Sequence, residues 1–275
     1  MWSVAAPVLY ALFVWWFSTG VILWLDNRPR HTFRWSLGGA TVVFAIALWR
    51  LHDGAADRSL AGAYGGFTYG VLAWGWQEMS FFMGVLTGPR RLPCPPGTTA
   101  WQRFRLAVGT CIHHEIAAAL TAGTMVLLAW GQPNQVGVWT FVVLWTMRLS
   151  SKLNVFAGVL NLNEQFVPPH LRYLCTYMRC RPMNLFFPVT VTAATVAWVL
   201  LAERARDAAG DGFRATELIF VATMLALAIL EHWFLVLPLP FARLWAWAVG
   251  MGVRPRRLVP QRDIACPIPP VPSSR

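Results

Sequence analysis

The stretch Leu106–Ala129 reads LAVGTCIHHEIAAALTAGTMVLLA. Three ionisable residues, His113, His114 and Glu115, stand inside an otherwise apolar run. As a helix rising about 1.5 Å per residue, the run is long enough to cross a hydrocarbon core of roughly 30 Å. An ionisable side chain in such a segment costs about 2.5–3.5 kcal/mol on insertion scales, so each one marks a partner or a function.

Similar apolar runs lie on both sides of it. They cover Val4–Leu25, Ser36–Leu51, Ala61–Leu86, Val136–Leu149, Leu185–Leu201 and Ala215–Leu239. With 56% hydrophobic and 13% charged residues and a mean hydropathy of +0.48, the chain is too apolar for an ordinary soluble domain. The patterning predicts an all-α, polytopic membrane helix bundle with about seven transmembrane helices. The bundle occupies residues 1–253, with a long cytoplasmic connection at 150–184. The proline-rich tail, 254–275, reads as extended.

The net charge of +11 would suit nucleic acid if the basic residues formed a stripe. They lie between apolar runs instead, which speaks for a lipid bilayer and against nucleic acid. Cytoplasmic connections carry the excess of Arg and Lys. The first, third and fifth connections and the tail hold 18 of the 23 such residues. That count puts the amino terminus outside and the carboxyl terminus in the cytoplasm. The five cysteines include no CxxC pair and read as reduced thiols. Gly62, Gly66 and Gly70 share one helix face and predict a seam of close helix packing.

Glu78, the group His113, His114 and Glu115, and the pair Glu231 and His232 belong to three different runs. With the derived orientation, all fall in the cytoplasmic half of the membrane, roughly 10–15 Å from the end of their helices. Four readings stay open. The groups pair with one another or with Arg148 and Lys152. Alternatively Glu78, His114, Glu115, Glu231 and His232 bind a transition metal such as iron, although no HExxH or Glu-x-x-His spacing is present. A third reading makes His113, His114 or His232 an axial ligand to a bacteriochlorophyll-type tetrapyrrole. Proton or quinone handling is the fourth. On the long connection, Asn154, Asn161, Asn163, Glu164 and His170 are candidates for the mouth of the same polar site. No P-loop, dinucleotide fingerprint or nucleophile elbow occurs.

The stretches His113-His114-Glu115-Ile116-Ala117, Lys152-Leu153-Asn154-Val155-Phe156, Asn161-Leu162-Asn163-Glu164, Pro169-His170-Leu171-Arg172-Tyr173-Leu174, Arg181-Pro182-Met183-Asn184 and Glu231-His232-Trp233-Phe234-Leu235-Val236-Leu237-Pro238 resemble the PuhE family. These are photosynthetic complex assembly proteins of purple bacteria, encoded near the reaction-centre H subunit. The likeness runs from the first helix to about Trp247. It implies a multi-pass protein of the bacterial inner, intracytoplasmic membrane that supports assembly of reaction-centre and light-harvesting subunits and influences bacteriochlorophyll supply. Those subunits, and bacteriochlorophyll or its precursors, are the implied partners. It implies no established reaction and assigns no catalytic residue. The alternative reading is a membrane metal-dependent enzyme of oxidoreductase or hydroxylase type, acting on a pigment precursor, quinone or lipid at the buried Glu/His site.

Overall fold

The structure is a computed structural model that describes residues 2–162, 164–237 and 244–250. Among these residues seven long helices follow one another: α1 (Trp2–Asp26), α2 (Phe33–Asp53), α3 (Leu60–Phe82), α4 (Ala100–Leu128), α5 (Val136–Ala157), α6 (Phe186–Asp207) and α7 (Gly212–Val236). A short α8 (Ala246–Gly250) comes last, and the described residues contain no strand. The fold is all-α. Five helices, α1, α2, α4, α6 and α7, are long and apolar enough to cross a membrane. The expected third and fifth spans, α3 and α5, are long but less apolar, α3 because it is rich in Gly, Tyr and Trp and α5 because it carries Arg148 and Lys152. Both helices lie inside the bundle, where a polar side chain meets protein rather than lipid.

Local chemistry sets the helix ends. Ser59 accepts the Gly62 amide at the start of α3, Thr99 and Gln102 form a capping box on α4, and Asp211 accepts the Arg214 amide on α7. Each satisfies a backbone donor that the first turn leaves without a partner. The third helix stops at Phe82, short of the expected Leu86, and turns through Gly84 at a φ of 78°. The fifth continues past the Leu149 end of its apolar run to Ala157, in line with a continuation past Arg148 towards Val155, and ends at Gly158 with a φ of 126°. Ser150, Lys152 and Asn154 are therefore helical, and the long connection begins at Gly158.

The most enclosed helix is α7, with 56% of its central window buried, whereas α2 has 6%. Phe220 of α7 stacks on Phe67 of α3 at 4.4 Å, and Tyr10 of α1 meets both edge-on. On the outside, α2 exposes Val42, Val43 and Ile46, and α6 exposes Val189, Val196 and Val199, an apolar surface suited to lipid. The glycine seam joins α3 to α5: a Cβ on Gly66 would meet Val136, and one on Gly70 would meet the Gly137 backbone. Gly62 abuts Asp57 instead.

The segment from Gly158 to Leu185 is strapped across the ends of the helices. Asn161 donates to the Phe234 carbonyl at 2.8 Å and to that of Leu237. Asn184 donates to the Gly158 carbonyl at 2.9 Å and accepts the Phe186 and Phe187 amides. Arg103 of α4 donates to the carbonyls of Tyr177 and Phe156. Cys94, Cys111 and Cys175 are free thiols, and burial pushes Cys175 up to about 11.

Candidate functional site

Five helices and the strap line a half-open cavity of about 410 Å³. Its walls are mostly aromatic and aliphatic: Trp15 and Ile22 of α1, Trp74 and Phe81 of α3, Leu144 of α5, Leu227 of α7, Tyr177 of the strap and Trp245. Trp245 is fixed by an edge contact with Trp15 at 5.4 Å and by donating to the Trp16 carbonyl. A volume of this order falls in the range of pockets for small organic ligands.

One polar strip interrupts these walls. Arg148 and Lys152 are one helical turn apart on α5, so both face inward. Arg148 pairs with Glu78 of α3 at 3.0 Å, and its guanidinium lies 5.7 Å from the centre of the Phe82 ring. Lys152 pairs with Glu115 of α4 at 2.7 Å, while Trp145 donates to the other oxygen of that carboxylate. Glu231 of α7 accepts from the Trp15 indole at 3.0 Å and faces the cavity. Glu78 Oε1 and Arg148 Nε are buried without partners. The strip thus keeps an acceptor and a donor unused beside an apolar chamber, where each unpaired polar group is costly. A ligand with an apolar body and one hydrogen-bonding end fits this arrangement.

The depth grouping read from the sequence brings Glu78 and Glu231 into one cavity, with Glu115 joined to it through Lys152. It does not bring the histidines in. His232 is held from both sides, with Nδ1 near the Ala228 carbonyl at 2.8 Å and Nε2 near the Ser150 hydroxyl at 2.9 Å. His114 is fully buried against Phe81 and Trp74, and neither ring nitrogen has a partner. His113 faces outward from the bundle. Successive residues of a helix point about 100° apart, which separates this trio. Among the described residues no three His, Cys, Asp or Glu side chains gather closely enough to hold a metal ion. No described imidazole lines the cavity.

The family model described as "Protein of unknown function (DUF3623)" matches residues 1–256. The chain belongs to the DUF3623 family. A relative from Rhodobacter capsulatus, described as "Uncharacterized 30.4 kDa protein in puhA 5'region", is 39% identical over 274 residues. The match covers 98% of this chain and 96% of the relative. No solved structure matches.

The remaining described candidates in this DUF3623 chain, Asn154, Asn161, Glu164 and His170, are not among the residues that line the cavity. Asn154 is fully buried and binds the Ser150 carbonyl, Thr190 and Asn184, a structural knot between α5 and α6. Asn161 secures the end of α7, and Glu164 opens a short 3-10 turn. Asn163 lies outside the described residues. His170 sits in a separate cavity, with Nε2 2.9 Å from the Phe82 carbonyl.

Sequence reasoning missed two residues. Trp15 reads as one more membrane tryptophan, yet it holds Glu231. Asp26 ends the first apolar run, and in the structure it is buried, faces Glu78 and leaves both carboxylate oxygens unpartnered. An acid ending a membrane-length run was the available signal.

Burial, with Arg30 next in importance, lowers the affinity of His170 for a proton below that of an ordinary imidazole. The folded state then favours the neutral ring, and this stabilisation is complete above the unfolded value of about 6.5. As pH falls below that value the unfolded chain takes up the proton first, so stability drops. Thermal unfolding at pH 7.5 and 5.5 should show the loss, and His170→Asn should reduce the pH dependence.

Proposed function

We propose that this protein is a PuhE-type membrane assembly factor that holds bacteriochlorophyll or a precursor while reaction-centre and light-harvesting subunits are put together. The cavity carries this reading: an apolar chamber inside a membrane bundle, with a charged strip offering hydrogen bonds to one end of the ligand. The Rhodobacter capsulatus relative takes its name from the puhA 5' region, and PuhE-like proteins are encoded near the reaction-centre H subunit. Under this reading all seven long helices span the inner membrane, the amino terminus is periplasmic, and the proline-rich tail is cytoplasmic.

Ligand affinity comes chiefly from apolar area, at about 25 cal/mol per Å² removed from water. The strip orients the ligand, with Arg148 and Lys152 facing carbonyl or carboxyl oxygens and Glu231 facing a donor. The full chain in phosphatidylcholine nanodiscs, titrated with bacteriochlorophyll a, should show saturable quenching of the cavity tryptophans Trp15, Trp74 and Trp245. Leu227→Trp, which fills the chamber, should remove it. Quenching that never saturates, or that persists in the filled variant, would refute the pigment reading. Restored assembly of photosynthetic complexes in a Rhodobacter capsulatus strain lacking the relative tests the process independently.

A further inference from the structure

A second cavity, of about 380 Å³, lies where α2 begins and α3 ends, away from the ligand chamber. Arg30 enters from the connection before α2, Arg91 from the connection after α3, and Thr87, His170 and Tyr173 complete its polar lining. Phe33, Met83 and Leu171 form an apolar wall. Neither arginine has a hydrogen bond or ion pair among the described residues, although both are exposed. Thr87 is 1% exposed, and its buried hydroxyl faces that of Tyr173, the two sharing a hydrogen bond. Two guanidiniums and a pair of hydroxyls therefore line one cavity where no described carboxylate forms an ion pair with either arginine.

The backbone is shaped to keep this space. Gly84 has a left-handed φ of 78°, and a Cβ there would come within 3.0 Å of the His170 ring. His170 presents its Nε2 to the Phe82 carbonyl, an arrangement that suits a neutral ring donating from that nitrogen. Its neighbours of like charge, Arg30 and Arg91, oppose protonation. An anion between the arginines would reverse that opposition.

We propose that this cavity binds a phosphate group at the membrane face. Arg30 and Arg91 donate charge-assisted hydrogen bonds to its oxygens, and the Thr87–Tyr173 hydroxyl pair has one proton left to donate. Arginine suits this chemistry because its planar fork matches phosphate oxygens. The group can belong to an anionic phospholipid head, whose chains would follow Phe33, Met83 and Leu171, or to free phosphate.

The test uses the full chain with labelled histidine, the His170 resonance being assigned by His170→Asn. In phosphatidylcholine nanodiscs, titration with inorganic phosphate should raise the pH midpoint of His170 if the source is soluble. In nanodiscs containing phosphatidylglycerol the midpoint should rise without added phosphate if the source is lipid. Either result supports the proposal. Arg30→Gln and Arg91→Gln, both at exposed positions, should each weaken the response about tenfold in apparent affinity. A His170 midpoint that moves with neither probe, or moves equally in the arginine variants, overturns it.

Discussion

Arg148→Met is expected to destabilise the protein by about 3 kcal/mol, because it strands the Glu78 carboxylate inside the bundle. Glu78 is 14% exposed at its side chain, and its only ion-pair partner among the described residues is Arg148 at 3.0 Å. Its Oε1 is already without a hydrogen bond, so losing the guanidinium leaves a charge with no compensation. Glu78→Gln combined with Arg148→Met removes both charges and should recover most of the loss. Denaturant unfolding of the detergent-solubilised protein measures both. A single-variant effect below about 1 kcal/mol, the range of exposed pairs, would mean that water in the chamber solvates the carboxylate. Arg148→Met should also weaken pigment binding, since the strip then offers only Lys152.

The second large effect is expected at Gly70. A Cβ on Gly70 would lie 2.6 Å from the Gly137 carbonyl oxygen and 3.0 Å from its Cα. Both obstacles are backbone, so no side chain can rotate aside, and α3 must part from α5. Gly70→Ala should cost about 2–3 kcal/mol, the upper part of the range for overpacking, and Gly70→Leu should prevent recovery of folded protein. Gly39, on the outer helix α2, has nothing within 4 Å of its notional Cβ. There alanine should be neutral or stabilising by up to about 1 kcal/mol through helix propensity. Thermal melts of the two alanine variants against the parent give the comparison. Equal losses at Gly39 and Gly70 would refute the seam.

Much of this molecule was legible in its sequence because a bilayer imposes a coarse rule. Helices must be about 20 apolar residues long, so the runs located every long helix, with ends that differ by up to eight residues. The largest errors fell where charge sits inside a helix. Arg148 and Lys152 blur the end of α5 in the sequence, and the structure pairs them with Glu78 and Glu115 within a helix that continues to Ala157. The common depth of Glu78 and Glu231 was legible because helix rise converts residue number into height.

Direction around each helix was not legible with the same accuracy. His114 and Glu115 share a depth, yet one is sealed against Phe81 and Trp74 while the other reaches Lys152. Nor does hydropathy show that Trp15 would meet Glu231 across 216 residues, or that Arg30 and Arg91 would face one cavity. The sequence by itself determined an all-helical bundle, its membrane-length elements and the level of its buried acids, because these follow from composition and spacing along the chain. The tertiary structure alone decided which acids are paired, which imidazoles are occupied and where space remains for a ligand, because those depend on how helices rotate and pack against one another.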